Sequence, residues 1–222
     1  MSERKDIANG KQVTLEGKND ISANKEEKIL SQAKEQHDLR LQEIFKQLEV
    51  EDGSTIQFPY LVRGAELWCS CGTHKRKLNL PLCHGIYIGG RPIVHEEDCG
   101  VGEDKNICAF GICQSEENPA NFSFLEKVGE NIKSFFTGEK KEVEEQEEII
   151  LQLEDGTNVK GYACRPRIIG TWKDVYKEEK IARNGTNGLK EEDRLSALTW
   201  RSFLVCAYGG LIEPITSGQE EE

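Results

Sequence analysis

Short apolar runs broken by glycine and proline fill the chain from residue 57 to residue 119. YLVRGAELWC, LNLPLCHGIYIGGRPIV and NICAFGIC are examples. Runs of this length predict short strands joined by tight turns rather than helices. Gly89-Gly90 stands between two of these strand-like runs and is a two-residue hairpin signal. We therefore predict a mostly-β domain, which we place at residues 56–218.

An insertion of different composition interrupts this domain. Residues 123–126 have the form of a capping box, and apolar residues at helical spacing follow it. Residues 139–155 carry eight acidic residues and two lysines, a net charge of −6 out of the chain's −11. We predict a helical and acidic insertion over about 123–148. The β-rich body then resumes, with a second hairpin at Asp155-Gly156.

The remaining segments are polar. Residues 1–24 lack periodicity, which predicts a disordered arm. Residues 25–55 predict an amphipathic helix followed by a linker, and the helix suits either its own domain or a partner helix. Residues 173–197 predict a loop, and residues 219–222 form an acidic tail. The helical stripe over residues 26–49 consists of Leu30, Ala33, His37, Leu41, Ile44 and Leu48.

The charge balance excludes two classes of partner. Asp and Glu total 40 against 29 Lys and Arg, and no basic block is present. Binding to nucleic acid or to an anionic membrane depends on clustered Lys and Arg, so neither is expected. No run approaches the ~20 apolar residues of a membrane helix, and the polar start has no signal-peptide core. We expect a cytoplasmic protein that does not insert into membranes by itself.

Eight cysteines are unusual for such a chain. Without an export signal we expect them to be reduced, which leaves metal ligation or plain burial as alternatives. Two of them occupy equivalent positions in a short internal repeat, because residues 67–72 and 204–209 both read L-x-C-x-x-G. Each copy follows a strand-like segment and precedes apolar residues. This repeat predicts two halves related by pseudo-symmetry, each with a cysteine and a glycine turn, which we call a corner, at the equivalent place.

Four separated motifs carry a resemblance to a known family. Residues 61–72 with 84–92, residues 106–119, residues 164–172 and residues 198–212 occur in the order typical of the PAAR-like domain-of-unknown-function family. The resemblance runs from about Tyr60 to Gly218. The N-terminal 55 residues, the insertion and the polar segment before Leu198 depart from it.

This resemblance implies a fold and a function. PAAR proteins are small β-cones that sit on the trimeric spike of contractile injection machines, often bind a metal near the apex and connect effectors to the spike. It implies a short-stranded β-cone acting as a spike tip or effector adapter, assembled into an injection particle and exported with it. The alternative is a free-standing, metal-stabilised adapter or chaperone for a secreted toxin.

An enzyme is the least favoured interpretation. Cys83-His84 is the nearest approach to a nucleophile and base, but neighbouring residues of a strand point to opposite faces.

The N-terminal helix and the insertion suggest a role beyond the family domain. A narrow tip leaves most of a docked protein free, so the N-terminal helix and the insertion are expected to contact the effector or its chaperone.

The resemblance picks out four candidate ligands for one zinc ion, one from each motif: Cys71, Cys113, Cys164 and Cys206. A tetrahedral site of this kind would clamp both halves of the domain. Cys69 is an alternate because residues two apart share a strand face, and His84 and Cys99 are further alternates. Cys83 and Cys108 are expected to be ordinary small apolar residues. The competing interpretation is that all eight are reduced, buried thiols without metal.

Overall fold

The computed structural model describes residues 3–47, 58–121, 147–182 and 194–220, with the side chains of the N-terminal helix from residue 23 to residue 46. The predicted insertion therefore lies almost entirely outside the described residues, and so does half of the acidic tail. The chain divides into two compact units, Met1–Val50 and Glu51–Glu222. The predicted class is confirmed, because one helix precedes a unit of small antiparallel sheets.

The first unit contains helix α1, Glu3–Gln47. The helix begins far before residue 26, so the segment 3–24, which the sequence predicted to be disordered, is helical instead. No proline interrupts residues 1–47, and the segment is rich in Lys, Glu, Ala and Gln, which favour helices even without an apolar face. The buried stripe repeats every four residues and consists of Ile29, Ala33, His37 and Leu41.

The central sheet of the second unit joins the two ends of that unit. Its antiparallel order is β2 (Arg76–Lys77), β1 (Glu66–Cys69), β10 (Leu211–Pro214) and β9 (Leu204–Val205). Leu67 lies opposite Pro214, and Cys69 lies opposite Ile212. The first and last thirds of the unit therefore close directly on each other.

Both predicted hairpins are confirmed. Strands β3 (Tyr87–Ile88) and β4 (Arg91–Pro92) pair across Gly89 and Gly90, whose φ values are 57° and 77°. Positive φ at both turn positions matches the right-handed twist of the flanking strands, and glycine adopts it without a Cβ clash. Strands β5 (Glu148–Gln152) and β6 (Asn158–Tyr162) flank Asp155-Gly156. A short 3₁₀ helix, Pro119–Asn121, precedes the undescribed insertion.

The segment 173–197 is not the predicted loop. It contains β7 (Tyr176–Ala182) and β8 (Arg194–Ala197), which pair antiparallel with a register shift near Tyr176. Five of the seven β7 residues are exposed, so the strand has no visible apolar alternation. Its only fully buried side chain, Ile181, packs with Val62, Ile93 and Ala197 in a small second core.

The main core includes buried residues of the central sheet, such as Leu67 and Ile212. Phe110, Trp172 and Leu198 are among its largest members, and four cysteines belong to it as well. Much of the unit is held by isolated bridges and loop hydrogen bonds rather than by long strands. Within the described ranges, no helix is both long and apolar enough to cross a membrane.

Candidate metal sites: a cysteine cluster and a histidine–aspartate group

The two L-x-C-x-x-G segments form corners that close with the same hydrogen bond. The amide of Gly72 donates to the carbonyl of Cys69 at 2.9 Å, and the amide of Gly209 donates to the carbonyl of Cys206 at 2.8 Å. One corner directly follows β1 and the other directly follows β9. The turn hydrogen bond therefore agrees with the predicted pseudo-symmetry, whereas the glycines differ, because Gly209 has a φ of 79° and Gly72 has no positive φ.

Strand β10 brings the two corners together because it pairs with both β1 and β9. Gly210 lies between them. A Cβ added there would stand 2.9 Å from Cys69 Sγ, 3.5 Å from Cys206 Cβ and 3.7 Å from Cys71 Cβ. Three cysteines thus surround one glycine, and the absence of a side chain at that position lets them approach.

Two more cysteines join this group through the middle of the chain. Cys113 forms a bridge with Gly72, and the amide of Gln114 donates to the carbonyl of Cys71 at 2.8 Å. The amide of Cys164 donates to the carbonyl of Gly111 at 2.7 Å, and the thiol of Cys164 hydrogen-bonds the sulfur of Cys113. We call Cys69, Cys71, Cys113, Cys164 and Cys206 the cysteine cluster; all five are free thiols.

The cluster favours one thiolate among neutral thiols. The hydrogen bond from Cys164 lowers the pKa of Cys113 to about 6 against the effect of burial, helped by the Ser115 amide and the Asn118 side chain. The same hydrogen bond raises the pKa of Cys164, whose proton it holds. Burial raises the pKa of Cys69 to about 12.

Burial also raises the pKa values of Cys71 and Cys206. A soft cation bound here would have to displace several protons, so its affinity would depend strongly on pH. A cleft of about 480 Å³ opens beside Cys113, between residues 112–116, Asn121 and residues 159–161.

The structure therefore brings together all four predicted ligands and the alternate Cys69. The other alternates lie elsewhere: Cys99 donates to the carbonyl of Gly170 at 3.8 Å, and His84 belongs to a different group. A tetrahedral Zn²⁺ ion with Zn–S bonds of ~2.3 Å separates its sulfurs by about 3.8 Å. Among the described residues, no three cysteine sulfurs all lie within 4.8 Å of one another. The zinc site in the cluster stays a prediction.

Cys83 and Cys108 are not buried apolar residues. Cys83 is exposed and donates to the hydroxyl of Tyr87 at 2.9 Å, whereas Cys108 is half-buried beside the carbonyl of Gly102. The interpretation that all eight thiols are buried is therefore wrong for Cys83. Cys83 and His84 also engage different partners, because the histidine contacts Asp98.

His84, His95 and Asp98 form a second, compact group. His84 Nε2 lies 2.9 Å from Asp98 Oδ2, and His95 Nδ1 lies 3.3 Å from the same oxygen. The two imidazole rings stack with centroids 3.9 Å apart. All three residues are buried, with 3–7% of their surface exposed.

The hairpin β3–β4 positions the two histidines. Each stands five residues outside the turn glycines, in the same register as the pairs Tyr87–Pro92 and Ile88–Arg91. The chain turns after His95, so that the carboxylate of Asp98 accepts a hydrogen bond from the amide of His95 at 2.8 Å. The indole of Trp172, from the second half of the unit, donates to the carbonyl of Asp98 at 2.9 Å.

The sequence reasoning missed most of this group. His84 was named as an alternate for the cysteine site and as the base of a disfavoured Cys83-His84 pair, whereas neither His95 nor Asp98 was named. The signal was present, because a hairpin centred on Gly89-Gly90 places residues 84 and 95 opposite each other. The three ligand atoms all lie within 4.8 Å of one another, so this buried group could hold a metal ion.

Comparison with known families gives one match. The model of the family described as "Domain of unknown function (DUF4280)" matches residues 61–219, more than two thirds of the chain. The chain belongs to this family. The matched range contains both corners, the cysteine cluster and the histidine–aspartate group, and it excludes α1. No curated protein matches the chain, and no solved structure matches it.

Proposed function

We propose that this DUF4280 protein is a PAAR-like spike-tip or effector-adapter protein of a contractile injection apparatus. The observation that carries the proposal is the ordered set of PAAR-like motifs, whose first and last members form corners with the same turn hydrogen bond beside one central sheet. A tip needs a small body that resists unfolding under load. A unit whose beginning and end are hydrogen-bonded to each other suits that need.

One zinc ion in the cysteine cluster is part of this proposal. The donor set fits the metal, because the cysteine cluster offers five free thiols, three of them around Gly210, and one thiol of the cluster is held as a thiolate. Cys71, Cys113, Cys164 and Cys206 would hold the ion, with Cys69 available in place of Cys71. Such a site would join residues on both sides of the insertion without a large apolar core.

The division of the chain supports a two-part adapter. The matched family range lies within the second unit, and α1 lies in the first. We assign spike binding to the second unit and contact with a toxin, or with its chaperone, to α1 and the insertion. The alternative is a free-standing adapter or chaperone that binds one toxin without a spike.

Co-expression tests this assignment. The full chain, produced with the trimeric spike protein encoded nearest to it, is expected to co-purify as one chain per trimer. Deletion of residues 1–50 is expected to leave this complex intact and to weaken cargo loading. Loss of spike binding in the truncated protein would contradict the division of roles. A stable complex with a toxin and none with the spike would favour the alternative.

A further inference from the structure

We propose that His84, His95 and Asp98 bind a divalent metal ion of the zinc class, at a site separate from the cysteine cluster. The ligand atoms are His84 Nε2, His95 Nδ1 and Asp98 Oδ2. A tetrahedral ion with bonds of ~2.0–2.1 Å separates its ligand atoms by about 3.3 Å. The two separations to Asp98 Oδ2 are 2.9 Å and 3.3 Å, close to this value, and all three atoms lie within 4.8 Å of one another.

His95 and Asp98 face each other through atoms that can both bind a cation. The amide of Glu97 donates to the single in-plane lone pair of His95 Nδ1 at 3.2 Å, and Asp98 Oδ2 lies 3.3 Å from the same nitrogen. A metal ion bound to Nδ1 would replace this long hydrogen bond. Its positive charge would also offset the cost of burying the Asp98 carboxylate.

The surroundings fix the ligands in place. Asp98 accepts the amide of His95, and its own amide donates to the carbonyl of His95 at 3.0 Å, which closes the turn that carries both ligands. Trp172 holds the carbonyl of Asp98 and is itself only 2% exposed. Partners of this kind orient metal ligands and raise metal affinity.

The donor set and burial determine what the ion would do. Two imidazoles and one carboxylate suit Zn²⁺ and similar ions, whereas the thiols of the cluster form a softer site. The group lies at the base of the β3–β4 hairpin, and its neighbour Glu96 hydrogen-bonds the main chain of Ser196 in the second half. A metal here would close the base of the hairpin, which the hydrogen bonds of Glu96 and Trp172 connect to the second half, so its role is structural. This inference does not depend on the proposed spike-tip function.

Zinc content of the full chain tests the site. His84→Gln is expected to lose one equivalent of zinc and to lower affinity by more than the ~10–100-fold cost of losing an orienting partner. His74→Gln is the matched control, because His74 lies outside the group and bonds Thr73 and the carbonyl of Gln152. Equal zinc content in His84→Gln and the wild-type protein, with the fold intact, would overturn the proposal.

A measurement on the wild-type protein covers the case in which His84→Gln fails to fold. X-ray absorption at the zinc edge, after saturation with Zn²⁺, is expected to include a population of ions with nitrogen and oxygen ligands. Cobalt substitution is expected to give a ligand-field spectrum that persists in Cys206→Ser, after the sulfur-to-cobalt band is lost. Purely sulfur ligation, or no bound metal, would overturn the proposal.

Discussion

The cysteine cluster and the histidine–aspartate group are built in opposite ways. The cluster gathers side chains from residues 69 to 206, and four chain segments must meet before it exists. The histidine–aspartate group comes from fifteen consecutive residues, 84–98, and one hairpin turn brings its histidines together. A local group can form with its hairpin, whereas a dispersed cluster forms only when the whole unit closes. The four predictions below separate these two kinds of construction.

The largest expected effect is that of His84→Leu. It removes the 2.9 Å hydrogen bond between His84 and the buried carboxylate of Asp98, and an unmade hydrogen bond to a buried charged group costs about 3 kcal/mol or more. Chemical denaturation should show this loss of unfolding free energy, while the thiols of the cluster keep their protection from alkylation. His74→Leu serves as the control. Simultaneous exposure of all cluster thiols would mean that the two groups are not independent.

Gly72→Ala tests the cluster from the side of the first corner. A Cβ at residue 72 would stand 2.5 Å from Phe110 Cβ and 2.9 Å from the Phe110 carbonyl oxygen. We expect a loss of about 3 kcal/mol, at the upper end of the usual cost of overpacking. The equivalent corner offers the control, because Gly209 has open space around it and only its φ of 79° opposes alanine. Gly209→Ala should cost about 1–2 kcal/mol, and equal losses would contradict the asymmetry of the corners.

The stability of the metal-free protein should depend on pH through Cys113. Its pKa falls to about 6 in the folded state from an ordinary value near 9, so the folded state binds fewer protons between these limits. The thiolate's contribution to the free energy of unfolding is fully present above pH 9 and is lost as pH falls through 6. The free energy of unfolding changes by at most about 1.4 kcal/mol per pH unit in this range. Denaturation in chelator between pH 6.5 and pH 8.5 measures the slope.

Cys113→Ser is the control for that slope and should flatten it. The opposite sign applies to Cys69, whose raised pKa of about 12 favours folding below pH 9 and loses that contribution as pH rises through 12. The contributions of the two thiols therefore change on opposite sides of pH 9. An unchanged slope in Cys113→Ser would contradict the assignment of the thiolate.

The smallest expected effect is that of Gly90→Ala in the β3–β4 turn. Gly90 has no atom within 4 Å of an added Cβ, so only its φ of 77° opposes alanine, at about 1 kcal/mol. Gly90→Asn should restore most of this loss, because asparagine tolerates the left-handed conformation. Zinc affinity should be unchanged in both variants, since the hairpin register survives. A shifted register would separate His84 from His95 and reduce zinc affinity in Gly90→Ala.

The same contrast explains what could be predicted from the sequence. Gly89-Gly90 and Asp155-Gly156 predict their hairpins from local sequence alone, because a tight hairpin turn needs residues with positive φ, which glycine adopts readily. The four dispersed cysteines were predicted through a resemblance, since no local rule connects residue 71 with residue 206. Strands β7 and β8 were not predicted, because most β7 residues are exposed and the strand lacks an alternation of apolar and polar residues. His95 and Asp98 were missed although the predicted hairpin register already placed His95 opposite His84.

The count of metal ions bound to single molecules tests most directly whether two separate groups hold this unit together. Native mass spectrometry of the full chain, loaded with Zn²⁺ and then freed of excess, should find two ions per wild-type molecule. His84→Gln and Cys206→Ser should each retain one ion, and the combined variant should retain none. A single ion in the wild-type protein that is lost in both single variants would contradict the account, and so would a wild-type protein without metal.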